Sequence, residues 1–258
     1  MIKQSFSWWG FANQGVDDET LLREAKAIGY DGVELLPPTL FQQAVDLGLS
    51  IVTHGGHDSI SSGFNDLSQH DRIEKEILAL LPVAAKFQIP SLIVFSGDRR
   101  DDLSDAQGLE NTVIGLRRVA TAAQDAGVTL ILELLNSKVD HHGYQADHTA
   151  WGAEACRRVG SAHVKLLYDI YHMQIMEGNL IQTIRDHHEY FGHYHTAGNP
   201  GRGDIDPATQ EISYAPIFRA IAATGYDGYI GHEFVSRGAP LAMLRSAYDL
   251  TRDAFSSR

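Results

Sequence analysis

Four side chains stand where apolar runs stop, and together they could hold a metal ion. Glu133 interrupts V-T-L-I-L-E-L, Asp169 ends V-K-L-L-Y-D, His195 ends F-G-H-Y-H, and Glu233 follows Y-I-G-H. Three carboxylates and one imidazole suit Mg²⁺ or Mn²⁺ and can also hold Zn²⁺ or Co²⁺. No thiolate competes: the lone cysteine, Cys156, lies in A-E-A-C-R-R-V and reads as a packed helix residue. The four are separated by 36, 26 and 38 residues, each roughly one strand–helix repeat. Three carboxylates gathered without a cation would repel one another, which favours a ligand set over a ring of capping polar groups.

Other residues could face the same place. His172, three positions past Asp169, and Arg202, between glycines in N-P-G-R-G, are candidates to bind substrate oxygens or a carboxylate. His54 and Trp9 end earlier apolar runs and are further candidates to bind substrate, His54 facing the site and Trp9 walling it, while Glu34 could also face it and Trp8 wall it. His193 shares a strand face with His195, one layer deeper, and reads as core. The pairs His57/Asp58, His141/His142 and His187/His188 read as exposed.

Positioning those groups requires strands that end together. Extended runs are expected over residues 2–7, 32–36, 49–54, 91–96, 128–134, 164–169, 191–195 and 229–234. Helical patterns lie between them, at 17–29, 40–47, 68–87, 106–126, 147–159, 179–190, 213–224 and 240–255. The first opens on acids and closes on Gly29, which is helix start and stop chemistry. Eight alternations predict an α/β fold, a single (β/α)₈ barrel filling residues 1–258, whose strands present reactive groups at their carboxyl ends. Residues 55–67 and 196–212 are longer than ordinary connections and should shape the site.

Composition narrows the partners. The 258 residues carry 33 acidic against 21 basic side chains, a net charge of -12. No basic run tracks a phosphate backbone, so nucleic acid is not expected. No apolar stretch reaches membrane-spanning length and no signal peptide is read, so a cytoplasmic protein is expected, with a homo-oligomer left open. One cysteine fits a reducing compartment.

The segments Y-D-G-V-E-L-L-P-P, L-E-L-L-N, L-Y-D-I-Y-H-M-Q, N-P-G-R-G-D-I and G-Y-I-G-H-E-F resemble the xylose-isomerase-like TIM barrel superfamily, and within it the hydroxypyruvate isomerase group. The resemblance implies that Glu133 and Glu233 are the catalytic pair and also metal ligands. It implies that Asp169 and His195 complete the ligand set, and that His172 and Arg202 bind substrate. The reaction expected is isomerisation of a small sugar or hydroxy-oxo acid, a proton moving between the two glutamates by way of a metal-bound cis-enediolate. Bacterial hydroxypyruvate isomerases commonly carry Gln at the position of His195, whereas ketose 3-epimerases carry His there. Those epimerases usually have a Glu where this chain has Val139. Epimerisation is therefore the alternative. An apurinic-endonuclease-like nuclease would need further histidines, and a non-enzymatic binding barrel would need no metal.

Overall fold

The computed structural model describes residues 2–256. By density of contacts the chain falls into two compact units, Met1–Val52 with Asn179–His188 and His193–Arg258, and Thr53–Gly178 with Glu189–Gly192. Each is described by itself.

In the first unit, β1 (Lys3–Ser7) pairs in parallel with β2 (Gly32–Glu34), placing Ser7 beside Glu34. The helix between them, α1 (Asp18–Ile28), starts where Asp17 accepts a hydrogen bond from the Thr20 amide at 2.9 Å and stops at Gly29, whose φ is 126°. It buries Leu21, Leu22 and Ala25, and each large apolar side chain so buried contributes about 1.5–3 kcal/mol. The short helix α2 (Phe41–Asp46) leads to β3 (Ser50–Ile51), which pairs with β2. Phe6, Phe11, Tyr30 and Phe234 meet edge to face.

The second unit begins with β4 (Thr53–Gly55), followed by α3 (His70–Phe87), β5 (Ser91–Val94), α4 (Asp105–Asp125) and β6 (Thr129–Glu133). Next come α5 (Thr149–Val159), β7 (Val164–Asp169) and α6 (Ile170–Met176). Strands β4 to β7 pair in parallel, Leu132 beside Leu166. Gly152 lets α5 lie close to the sheet, since a Cβ there would come 2.8 Å from Leu166 Cδ2.

The remaining elements are α7 (Leu180–His187), β8 (Phe191–Thr196), α8 (Tyr214–Ala223), β9 (Tyr229–His232) and α9 (Pro240–Ser256). Strand order is β3-β2-β1-β9-β8-β7-β6-β5-β4. Nine strands among the described residues carry the eight repeats expected, because the run at 49–54 is broken at Val52 into β3 and β4. The arrangement is the α/β (β/α)₈ barrel expected.

Candidate metal centre and active site

His195 lies on β8 and Glu233 directly after β9, whose pairing sets His195 beside Gly231. His195 is wholly buried and Glu233 nearly so. His195 Nδ1 is 3.2 Å from Glu233 Oε2. The same oxygen receives Arg202 Nη2 at 2.5 Å, and Trp9 Nε1 donates to Glu233 Oε1 at 3.2 Å. The Arg202 guanidinium sits 5.1 Å from the Trp9 ring centroid, within cation–π range. Arg202 holds φ at 54°, an uncommon conformation for a side chain of its size, and its carbonyl accepts from the Val235 amide.

Behind His195 lies a second carboxylate. Glu34 Oε2 is 2.9 Å from His195 Nε2, and Glu34 Oε1 is 3.0 Å from His193 Nε2. Ser5 Oγ donates to Glu34 Oε1 at 2.5 Å. Burial alone would raise the Glu34 carboxyl, but the two imidazoles facing it hold it well below the usual carboxylate range. Nearby His232, wholly buried, is lowered to about 3, chiefly by burial.

In the second unit Glu133 closes β6 and Asp169 closes β7, both buried. The Glu133 carbonyl accepts from Tyr144 Oη at 2.8 Å, which pins the strand end. Asp169 also caps α6: its Oδ1 accepts from the His172 amide at 3.0 Å. That turn brings His172 back toward the strand end, wholly buried, with Nε2 3.9 Å from Asp169 Oδ2. His172 Nδ1 accepts from the Asn136 amide at 3.1 Å, so the ring proton belongs on Nε2, toward Asp169. Asn136 Nδ2 and Tyr171 Oη both donate to Asp140 Oδ2, at 2.5 and 2.8 Å. His54 is half-buried on β4, and burial lowers its pKa.

Glu133, Asp169, His195 and Glu233 each offer one ligand atom, and the four atoms lie within 4.8 Å of one another. Buried carboxylates this close are unfavourable unless a cation or protons compensate them. Oxygen and imidazole donors without thiolate fit a divalent ion of the kind expected. Glu34, His193 and His195 form a second such group.

Trp9, Arg202 and His195 thus stand at Glu233 in the first unit, and His172 stands at Asp169 in the second. Three features were not anticipated. His172 stands on a helix, α6, capped by Asp169, in a stretch for which no helix was expected. Asn136, which sets the His172 tautomer, follows L-E-L-L with no local signal of its role. His57 was expected to be exposed and is buried: its ring meets Phe64 and Phe95 edge to face, and Nε2 accepts from the Phe95 amide at 2.9 Å. No helix among the described residues is long and apolar enough to cross a membrane.

Comparison with known proteins agrees with this architecture. The chain is 35% identical over 125 residues to 2-oxo-tetronate isomerase of Cupriavidus necator, covering 48% of this chain and 47% of that protein. It is 35% identical over 133 residues to hydroxypyruvate isomerase of Escherichia coli, covering 52% of this chain and 50% of the relative. The matches thus span about half the length of these curated relatives. The fold is like that of D-psicose 3-epimerase from Clostridium cellulolyticum, with a TM-score of 0.81, 20% identity, and 98% and 99% of the two chains covered. The family model for the xylose isomerase-like TIM barrel matches residues 22–254. With nearly the whole chain inside that match, the protein belongs to the xylose isomerase-like TIM barrel family.

Proposed function

We propose that this protein is a metal-dependent isomerase of small hydroxy-oxo acids or sugars, acting in the cytoplasm as one barrel domain of residues 1–258. The observation that carries the reading is the convergence of Glu133, Asp169, His195 and Glu233 within 4.8 Å. The likeness to hydroxypyruvate and 2-oxo-tetronate isomerases supports the substrate class.

Glu133, Asp169, His195 and Glu233 are the residues that would hold the ion, Mg²⁺ or Mn²⁺ before Zn²⁺ or Co²⁺. When bound, the ion supplies Lewis-acid polarisation of neighbouring hydroxyl and carbonyl oxygens. One of Glu133 and Glu233 takes the proton from the carbon bearing the hydroxyl group. The electron pair left behind forms the new carbon–carbon double bond. A glutamate then returns a proton to the former carbonyl carbon, while the hydroxyl proton passes to the former carbonyl oxygen. His172 presents Nε2–H to a substrate oxygen, held in that tautomer by Asn136. Arg202 turns from Glu233 to a substrate carboxylate, and Trp9 and His54 wall the pocket. Two carboxylates in one site suit this work because each can accept and return a proton.

The test is solvent-deuterium incorporation followed by NMR across small hydroxy-oxo acids, tetroses and ketohexoses. Glu133→Gln and Glu233→Gln should each lower exchange by about 10²–10⁴-fold. Undiminished exchange in both variants refutes the role. A second reading, 3-epimerisation of a ketose, is favoured by the His195 imidazole in the ligand set. It requires the proton to return to the opposite face of the same carbon, and the same spectra identify which carbon exchanges.

A further inference from the structure

Glu34 has no part in the proton transfer described above, yet the chain is shaped around it. It is wholly buried at the end of β2. The next residue, Leu35, is held at φ 50°, a left-handed conformation that a leucine rarely adopts. On β9, Gly231 leaves the space the carboxylate occupies: a Cβ there would come 2.3 Å from Glu34 Oε1 and 2.8 Å from His195 Cδ2. Ser5 Oγ, His193 Nε2 and His195 Nε2 converge on the two Glu34 oxygens at 2.5, 3.0 and 2.9 Å. A buried carboxylate is costly to keep unless it is paired and hydrogen-bonded, and the serine and the two imidazoles meet that need.

We propose that Glu34 is a positioning residue that fixes the orientation and tautomer of His195 for metal binding. A carboxylate only accepts hydrogen bonds, so its contact with His195 Nε2 keeps a proton on that nitrogen. The lone pair is then left to Nδ1, the atom 3.2 Å from the candidate ligand Glu233 Oε2. A hydrogen bond of this kind on the far nitrogen also raises the basicity of a ligating imidazole. Gly231 keeps the β9 side of the cluster open so that Glu34 and His195 can meet. The competing possibility is that Glu34, His193 and His195 hold an ion of their own, since their ligand atoms also lie within 4.8 Å of one another. The two ideas differ in stoichiometry: one ion per chain against two.

The inference rests on the metal site proposed above, and calorimetric titration of metal-stripped protein with Mn²⁺ separates the two. The parent should take up one ion. Glu34→Ala, shown to be folded by circular dichroism, should bind Mn²⁺ about 10–100-fold more weakly. Glu34→Gln, whose amide oxygen can still accept from His195 Nε2–H, should lose less. Should the Ala variant fail to fold, the isosteric Gln variant decides: weakened Mn²⁺ binding supports the role and unchanged binding overturns it. Parent-like affinity in a folded Glu34→Ala protein, or uptake of two ions by the parent with one lost in the variant, overturns the positioning role alone. A parent that takes up no Mn²⁺ overturns the metal site and the positioning role together.

Discussion

Arg202 Nη2 lies 2.5 Å from Glu233 Oε2, so a guanidinium rests on one of the two carboxylates expected to move a proton. The contact is nearly buried on the glutamate side and only partly so on the arginine side. An acidic substrate would offer the guanidinium a second carboxylate. Arg202→Ala should therefore raise KM for a hydroxy-oxo acid by about 10–100-fold, the range set by a charge-assisted hydrogen bond of about 1.5–3 kcal/mol. A neutral ketose should suffer less. Steady-state kinetics on the two substrate types checks this, and an equal loss on both removes the clamp from the account.

Removal of the ion should abolish turnover, and Mn²⁺ or Mg²⁺ should restore it. Binding also stabilises the folded chain by mass action, by about 2.7 kcal/mol at a hundredfold excess over Kd. Thermal melts of chelated protein with and without added Mn²⁺ should differ accordingly. A melting temperature indifferent to Mn²⁺ counts against a cation among Glu133, Asp169, His195 and Glu233.

Gly10 is a second position where a missing side chain shapes the site. A Cβ there would fall 2.2 Å from the Phe234 carbonyl oxygen. Trp9 precedes Gly10 and Glu233 precedes Phe234, so Gly10→Ala should press apart the two backbones that carry the Trp9–Glu233 hydrogen bond. The strain should cost about 1–3 kcal/mol. Urea unfolding measures the stability, and tryptophan fluorescence reports whether an indole environment shifts.

His57 should make the fold acid-sensitive. Burial, helped by nearby Arg72, brings its pKa down from 6.5 to about 4. The folded state keeps the ring neutral while the unfolded chain takes up a proton, so unfolding binds protons between these values. The stabilisation is complete above pH 6.5 and is lost as pH falls toward 4, by about 3 kcal/mol at most. His57→Gln should flatten the slope of unfolding free energy against pH in that window. A slope as steep as the parent's would assign the acid sensitivity to other groups.

Glu133, Asp169, His195 and Glu233 could be singled out as candidates because each stands at or near the end of an apolar run. Helix α6 was not legible, because Ile170, Tyr171 and Met173 continue the apolar character of β7 and mask the cap supplied by Asp169. His193 was correctly placed inside the barrel by the two-residue period of a strand. Its contact with Glu34 was beyond reach, since residues on β2 and β8 meet only through the stagger of the intervening strands. The break at Val52 left no mark at all in L-S-I-V-T-H. His57 escaped notice because a histidine in G-G-H-D looks like loop chemistry, while the phenylalanines that enclose it come from Phe64 and Phe95.

Asp169 has two oxygens with two destinations. One is tied to the His172 amide, and the other lies 3.9 Å from the ring of that same histidine. Any charge that draws the carboxylate outward also tugs on the first turn of a seven-residue helix. A cation held by the other oxygen should therefore alter the order of that short turn. The hydrogen-exchange rate of a single amide, that of His172, should then report whether Asp169 holds an ion.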